Sequence, residues 1–299
     1  MTQKNMSIKE RIHPDQPNSP IEYLRVKELD KDIVVRSLTD HDIDEIVRVE
    51  TETWPEAWQA SRESFLNRIR IFPQGVIGVF VDGELAGVTT SMCSDFHLED
   101  IDKKIADPDY TWDLITDSGK IEGAHNPSGN AIYVVSVGVS GKHRGLGLGT
   151  KLVDAQKELA RSQGKEYLYL EARLPNLKAY IEFKYNVSIP SDYQGSIEDI
   201  VQQLTGKSLR EIALEFVNKK RGDEPEFCSP DVIKPHSITI RSESDAGKPL
   251  PMEQHFYGKC GLRPVQIDSK NVPKIGFAGD SDEESVQCGY IVYTEIKKE

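Results

Sequence analysis

The chain has 299 residues, of which 37% are hydrophobic, enough to bury a core in one large domain or two ordinary ones. Its formal net charge is −12 and it has no dense run of lysine and arginine, which excludes nucleic acid as an expected partner and favours cationic or amine-bearing small molecules. No segment approaches the roughly 18 apolar residues of a membrane span, so the sequence predicts a soluble, cytoplasmic protein that does not bind membranes.

The four cysteines are widely separated and have no Cys-x-x-Cys spacing. This pattern predicts reduced thiols, without a disulfide framework or a zinc site, and no metal is expected. The residues are Cys93, Cys228, Cys260 and Cys288.

The first 30 residues are polar, and Pro14, Pro17 and Pro20 interrupt any periodic pattern. They predict a flexible N-terminal tail or surface arm. We expect ordered structure to begin near Ile33 and to form a single domain over residues 31–299.

The stretch "IVVRSL" predicts a strand, and "TDHDIDEIVRVETETW" predicts a helix with Thr39 or Asp40 as its N-cap. A second helix is predicted at "SRESFLNRIRIF". Asp82-Gly83 stands between two β-rich runs and predicts an antiparallel hairpin. The polar and aromatic stretch from Cys93 to Asn130 is too long for an ordinary connection, so we expect a flap near the functional site.

Residues Ala131 to Val139 are apolar at nearly every position, as is typical of a central strand covered on both faces. An amphipathic helix that ends at Gly164 is predicted next, followed by a strand at "EYLYLEA". Two strands joined by a crossover helix are expected to be parallel neighbours. We therefore predict an α/β fold of the mixed layer type, with a central mixed sheet flanked by helices.

A polar insertion is predicted at about residues 186–251, and its role stays open. It contains two short helical patterns, "SIEDIVQQL" and "SLREIALEFVNKK", and the second has the Ser208/Glu211 spacing of a capping box. The stretches "LRPVQI" and "CGYIVYTEI" predict closing strands.

Three alternating glycines, Gly145, Gly147 and Gly149, lie between the central strand and its helix. The P-loop and the Rossmann fingerprint require other spacings, so neither motif is present. Without side chains at the start of a helix, several backbone N–H groups can converge on an anion at the positive end of the helix dipole. The alternative is a turn that only lets helix and strand pack closely, but such a turn needs one glycine.

The stretch "VGVSGKHRGLGLGTKLV" resembles the acetyl-CoA-binding motif of the GCN5-related N-acetyltransferase (GNAT) superfamily, which Arg144, Gly147 and Gly149 match. The order of predicted elements from Ile33 to Ala172 and the stretch "HFYGKCGLRPV" are also similar to that family. More remotely, "TWDLITDSGKIEGAHNPSGNAIYVVSVGVS" and "ARLPN" resemble GNAT domains that are fused to nitrilase-like amidohydrolases.

The resemblance implies a GNAT-like acyl-CoA N-acyltransferase fold and an enzyme that moves an acetyl group from acetyl-CoA to a primary amine of a small molecule or peptide by direct attack. It implies that backbone N–H groups hold the diphosphate and that the backbone of the central strand binds the pantetheine arm. The implied contacts are Val137, Val139, His143, Arg144, Gly145, Leu146, Gly147, Leu148, Gly149, Thr150 and Asn176. For Arg144 a solvated surface charge is the alternative, and for Asn176 an ordinary N-cap.

By the same resemblance, Tyr257 would donate a proton to the departing thiolate, although a core tyrosine is the alternative. The central strand contains no carboxylate that could deprotonate the amine. Glu171 is the first candidate for that base. The others are Glu50, Glu52, Asp95 and His97, and any of the five could instead be an ordinary surface charge.

Four aromatic residues could line an acceptor pocket or simply pack in the core: Trp54, Trp58, Phe72 and Trp112. The missing strand carboxylate leaves a second function open, a catalytically inactive acyl-CoA-binding regulator or sensor. The acceptor, the acyl chain length and the oligomeric state also stay open, with a homodimer as one option.

Overall fold

The computed structural model describes residues 20–191, 193, 195–220, 223, 252–276 and 285–297. Its strands are β1 Glu22–Glu28, β2 Lys31–Ser37, β3 Val76–Val81, β4 Glu84–Ser94, β5 Ala131–Val139, β6 Tyr167–Arg173, β7 Arg263–Pro264, β8 Gln266–Ile267, β9 Lys270–Asn271, β10 Pro273–Lys274 and β11 Gly289–Glu295. Its helices are α1 Ile43–Thr53, α2 Arg62–Ile71, α3 Ile101–Ala106, α4 Trp112–Thr116, α5 Leu148–Ser162, α6 Leu177–Tyr185, α7 Ile197–Thr205, α8 Leu209–Asn218 and α9 Met252–Lys259. These elements confirm the predicted α/β class.

The chain divides into two compact units that are each built from separate segments. The first comprises residues 1–96, 115–170 and 294–299, and the second comprises residues 97–114 and 171–293. The expectation of a single domain over residues 31–299 stays a prediction.

The first unit is built on a sheet with the strand order β1-β2-β3-β4-β5-β6. Strands β1 to β5 are antiparallel to their neighbours, whereas β5 and β6 are parallel. The connection between β5 and β6 contains α5, as expected for a crossover between parallel strands. The predicted mixed sheet is therefore confirmed.

Helices α1 and α2 contribute to the main apolar core of the first unit. Thr39 and Asp42 form a capping box at the short 3-10 turn that leads into α1, and Ser61 caps α2 by accepting from the N–H of Ser64. The buried cluster comprises Leu38, Ile43, Ile46, Val49, Phe65, Val76, Phe80, Leu85 and Val88. The helical periodicity predicted from the sequence thus produces the expected buried face.

The prediction of a flexible tail up to residue 30 is wrong for residues 22–28. They form β1, which pairs with β2 and buries Tyr23. Leu29 and Asp30 both have left-handed backbones, with φ of 50° and 60°, as a tight hairpin turn requires. That turn normally contains Asn or Gly, so Leu-Asp gave no hairpin signal. Residues 1–19 lie outside the described residues.

The second unit contains β11, which pairs antiparallel with β10 and with β7. "CGYIVYTEI" forms β11 as predicted, whereas "LRPVQI" forms only the two-residue strands β7 and β8. The two helices predicted in the insertion are α7 and α8, and the Ser208/Glu211 capping box is formed. The insertion's residues 224–251 lie outside the described residues.

Cys93, Cys260 and Cys288 are buried and in the thiol form, while Cys228 lies outside the described residues. Within the described ranges, no helix has the length and apolar run needed to cross a bilayer. The same ranges contain no group of three or more His, Cys, Asp or Glu side chains placed to hold a metal ion.

Candidate active site

The glycine loop before α5 has the backbone geometry that its glycines predict. Gly147 is the N-cap of α5 with a φ of 70°, and Gly145 has a φ of 88°. Both values lie in the left-handed region that glycine adopts most readily. A Cβ added at either position would have no described atom within 4 Å. The backbone conformation, and not crowding, therefore requires these two glycines.

The first turn of α5 presents backbone donors at the surface. Gly147 has no side chain that could cap this turn, and Lys151 donates the first bond of the helix, to the carbonyl oxygen of Gly147. The first turn of a helix carries the positive end of the helix dipole, because its N–H groups precede the regular bonding pattern. Arg144, Gly145 and Gly147 are exposed in front of them. This arrangement is suited to binding an anion.

His143 differs from its predicted role as a backbone donor to that anion. Its N–H donates to the carbonyl oxygen of Ser140 at 3.0 Å, within the short 3-10 turn Gly141–His143. A turn that closes on itself in this way leaves no N–H at His143 for a ligand. The main-chain donors of the loop therefore begin after His143.

The carboxylate of Glu52, at the end of α1, holds the start of the glycine loop. Ser140 Oγ donates to it at 2.6 Å, Lys142 Nζ at 3.1 Å and Arg48 Nη1 at 3.1 Å. The pKa of Glu52 is lowered to about 2, mostly by the hydrogen bonds from Ser140 and Lys142 and to a smaller extent by the one from Arg48. A carboxylate with so low a pKa is a poor general base. Its hydrogen bonds to Ser140 and Lys142 make Glu52 an anchor for the loop, which we call the Glu52 anchor.

Glu52→Gln should weaken coenzyme A binding several-fold, because the loop loses two charge-assisted hydrogen bonds. The folded-state pKa lies below the ordinary value of 4.5, so the anchor's contribution to the free energy of unfolding is complete above pH 4.5 and is lost as the pH falls towards 2. Denaturant unfolding of both proteins across this pH range measures the difference. The exposed control Glu56→Gln should change neither the affinity for coenzyme A nor the pH dependence of the free energy of unfolding. If the difference in stability between the wild-type protein and Glu52→Gln stays constant down to pH 2, the anchor is contradicted.

Strand β5 is irregular at Val135. Ser136 faces Thr90 on β4, but the next pair is Val134 with Ser91, so β5 has one extra residue and bulges at Val135. On its other side β5 pairs with β6 only from Ala131 to Tyr133. After Tyr133, the edge of β5 on the β6 side is therefore not paired with β6.

The backbone groups of Val137 and Val139 point to this uncovered edge. The N–H of Ser140 donates to Ala86 on the β4 side, and N–H groups alternate between the two sides along a strand. Val137 and Val139, three and one residues before Ser140, therefore direct their N–H and C=O groups away from β4. Both residues are partly exposed. An extended molecule that carries amide groups can add along such an edge.

Arg68 of α2 is a buried cation that the sequence analysis missed. It is 3% exposed, and it donates from Nε to the carbonyl oxygen of Gly119 at 2.6 Å and from Nη1 to Thr90 Oγ1 at 3.3 Å. Burial lowers the pKa of Arg68 to about 10, against the opposing charge of Glu50. Arg68 lies three residues after the buried Phe65, so its place on the apolar stripe of α2 was the available signal.

Glu50, another candidate base, is also buried. It accepts a hydrogen bond from the N–H of Ala60 at 2.9 Å, and burial raises its pKa, against the effects of that bond and of Arg68. Its position makes it an anchor for the segment that follows α1. Asp95 accepts from the side-chain amide of Asn126 at 2.9 Å.

Three predicted site residues belong to the second unit. Glu171 on β6 is 8% exposed, and burial raises its pKa well above the usual range, although Tyr110 and Lys274 oppose this shift. Tyr257 on α9 is partly exposed, and its ring packs edge-on against that of Phe256 with the ring centroids 4.9 Å apart. Asn176 occupies the N-cap position of α6 with a φ of 73°, but its side chain does not cap the helix. Their catalytic and coenzyme roles stay predictions.

The aromatic candidates separate into core and surface. Phe72 is buried and packs on His125, with ring centroids 4.9 Å apart, so it fills the core. Trp54, Trp58 and Trp112 are partly exposed. A Cβ on Gly138 would lie 3.2 Å from Trp54 Nε1, which places the indole against β5 just beyond the bulge.

Comparisons with known proteins agree with this geometry. Residues 42–183 match the family model described as the Acetyltransferase (GNAT) family. The curated relatives include "Probable hydrolase YhcX" of Bacillus subtilis (strain 168), 28% identical over 197 residues that cover 65% of this chain and 34% of that protein. They also include "Uncharacterized N-acetyltransferase YkwB" of the same organism, which is 28% identical over 160 residues. These residues cover 52% of this chain and 66% of that protein. The chain thus spans about a third of the first relative and just under two thirds of the second.

Two solved structures share the fold. The loading GNATL domain of CurA from Lyngbya majuscula has a TM-score of 0.56 at 16% identity, covering 88% of this chain and 98% of its own. The GphF GNAT-like decarboxylase in complex with isobutyryl-CoA has a TM-score of 0.51 at 17% identity, covering 88% of this chain and 99% of its own. At these identities the likeness concerns the fold alone. The hydrolase name of the first relative fits the more remote resemblance to fused GNAT domains, and residues 42–183 of this chain match the acetyltransferase (GNAT) family.

Proposed function

We propose that this protein transfers an acetyl group from acetyl-CoA to a primary amine of a small molecule or peptide. One observation carries the proposal: the uncapped N-terminus of α5, with Gly145 and Gly147 in left-handed conformations, continues from the uncovered edge of β5. The first feature suits a diphosphate and the second suits the amides of a pantetheine arm. Both occur within the GNAT-family segment.

In this proposal the diphosphate rests on main-chain N–H groups of the loop, with the exposed Arg144 as a neighbouring cation. The pantetheine arm runs back along β5 and bonds to the backbone of Val137 and Val139. The thioester then lies along the strand near Val137, where a strand N–H can receive the oxyanion. The loop residues assigned to the diphosphate are Arg144, Gly145, Leu146, Gly147, Leu148, Gly149 and Thr150, and Asn176 is a further proposed contact.

The transfer needs one base and one acid. The nitrogen lone pair of the neutral amine attacks the thioester carbon, an N–C bond forms, and the C–S bond breaks with its electron pair on sulfur. The amine proton passes to the base, for which we propose Glu171, because a raised carboxylate pKa suits proton abstraction near neutral pH. The phenol of Tyr257 protonates the thiolate, and the products are the amide and coenzyme A.

A test combines calorimetric titration with coenzyme A and a thiol-release assay with acetyl-CoA. The amines are spermidine, kanamycin, L-lysine and a short peptide with a free N-terminus. Saturable binding together with amine-dependent thiol release supports the transferase. The second candidate, a sensor that binds acyl-CoA without chemistry, is favoured by the absence of Asp and Glu from β5, and binding without release would support it. Neither binding nor release would contradict both functions.

A further inference from the structure

A chain of three hydrogen-bonding side chains leads from the buried Arg68 to the bulge of β5. Arg68 Nη1 donates to Thr90 Oγ1 at 3.3 Å, and Thr90 Oγ1 lies 2.9 Å from Ser136 Oγ. Arg68 is 3% exposed and Thr90 is fully buried, whereas Ser136 is partly exposed. The chain therefore begins in the core and ends at Ser136, a partly exposed residue.

Ser136 lies on the sheet face that α1 and α2 cover. Thr90 reaches Arg68 of α2 from this face, and a Cβ on Gly138 would meet Thr53 of α1 at 2.8 Å. Ser136 and Gly138 are two residues apart on one strand and therefore share a face. Ser136 is thus one residue from Val137, near which the proposed function brings the thioester, and two residues from Gly138, which Trp54 approaches.

The hydrogen-bonding capacities of the three groups leave Ser136 able to bind a donor. A guanidinium can only donate, so Thr90 Oγ1 is an acceptor in its bond with Arg68. A hydroxyl has one proton and two lone pairs, and its bond with Thr90 uses only one of these three on Ser136. At least one lone pair of Ser136 Oγ therefore stays available, in an orientation fixed by buried partners.

We propose that Ser136 Oγ accepts a hydrogen bond from the N–H of the acceptor amine and orients the nitrogen lone pair towards the thioester carbon. Thr90 and Arg68 are positioning residues that fix the Ser136 hydroxyl. This inference rests on the proposed function and deepens it by assigning a polar contact for the acceptor. Ser136 neither gains nor loses a proton, and the amine proton leaves to the base.

The test measures the KM of the amine and the affinity for coenzyme A separately. Ser136→Ala should raise the amine KM about tenfold, the effect of one oriented hydrogen bond, and leave coenzyme A binding unchanged in calorimetry. Ser136→Thr keeps the hydroxyl and should restore most of the loss. Thr90→Val should raise the amine KM by a smaller factor, because it frees the Ser136 rotamer without removing its oxygen. The assay uses whichever of the four amines gives most thiol release with the wild-type protein.

Ser94→Ala is the matched control, because it removes a buried hydroxyl of β4 that bonds to Tyr169 at 3.0 Å, away from the bulge. It should alter stability and leave the amine KM unchanged. An unchanged amine KM in Ser136→Ala, or an equal loss of coenzyme A affinity, would overturn the inference while the transferase stands. Wild-type protein that binds coenzyme A and releases no thiol with any amine would instead overturn the proposed function, and this contact with it.

Discussion

Gly147→Glu should lower the affinity for coenzyme A at least about 100-fold. The glutamate side chain would extend into the space in front of α5, where the diphosphate is proposed to bind. A carboxylate about 5 Å from a phosphate charge costs roughly 3 kcal/mol at an effective dielectric constant near 20, and each 1.4 kcal/mol or so is a factor of ten. Calorimetric titration with coenzyme A measures the loss.

Two controls separate charge from backbone strain. Gly147→Gln introduces a side chain of the same size at the same left-handed backbone without the charge, so it should bind coenzyme A much more tightly than the glutamate variant. Gly164→Glu places the same carboxylate on a glycine with a φ of 66°, also with no described atom near its Cβ, after the opposite end of α5. It should leave the affinity unchanged. Equal affinities of Gly147→Glu and Gly147→Gln would contradict the diphosphate site.

Tyr257→Phe should lower kcat by about 100-fold, the lower end of the range for loss of a general acid, while coenzyme A affinity changes little. The substitution removes the phenolic proton and keeps the ring that contacts Phe256. Steady-state thiol release gives kcat, and calorimetry gives the affinity.

Tyr193→Phe supplies the matched control, since Tyr193 is an exposed tyrosine of the same unit. Its turnover should equal that of the wild-type protein. If Tyr257→Phe also retains full turnover, Tyr257 has no part in the reaction, and another donor or water protonates the thiolate.

Sequence patterns predicted the local elements well, because their causes lie within a few residues of one another. The left-handed glycines before α5, the hairpin at Asp82-Gly83 and the parallel pair of β5 and β6 all follow from short-range spacing or from connection rules. β1 was missed because its turn uses Leu29 and Asp30, residues that rarely occupy a left-handed pair.

The polar contacts of the site were much less predictable. Ser140 and Glu52 are 88 residues apart in the sequence, and Thr90 and Ser136 are 46 apart. No periodicity links such pairs, so Glu52 could be read only as a free carboxylate and Ser136 as an ordinary strand residue. Burial of Glu171 likewise depends on segments that are distant in the chain, and sequence alone could not supply its raised pKa.

The two carboxylates near the end of α1 have a consequence for how this protein can change during evolution. Glu50 holds the N–H of Ala60, and Glu52 holds Ser140 and Lys142. One helical turn thus supports both the segment that carries Trp54 and Trp58 and the entrance to the glycine loop. An insertion or deletion in that turn would disturb both supports at once. Under the proposed function, we therefore expect new acceptor preferences to arise more readily by substitution within residues 54–60 than by changes in the length of α1.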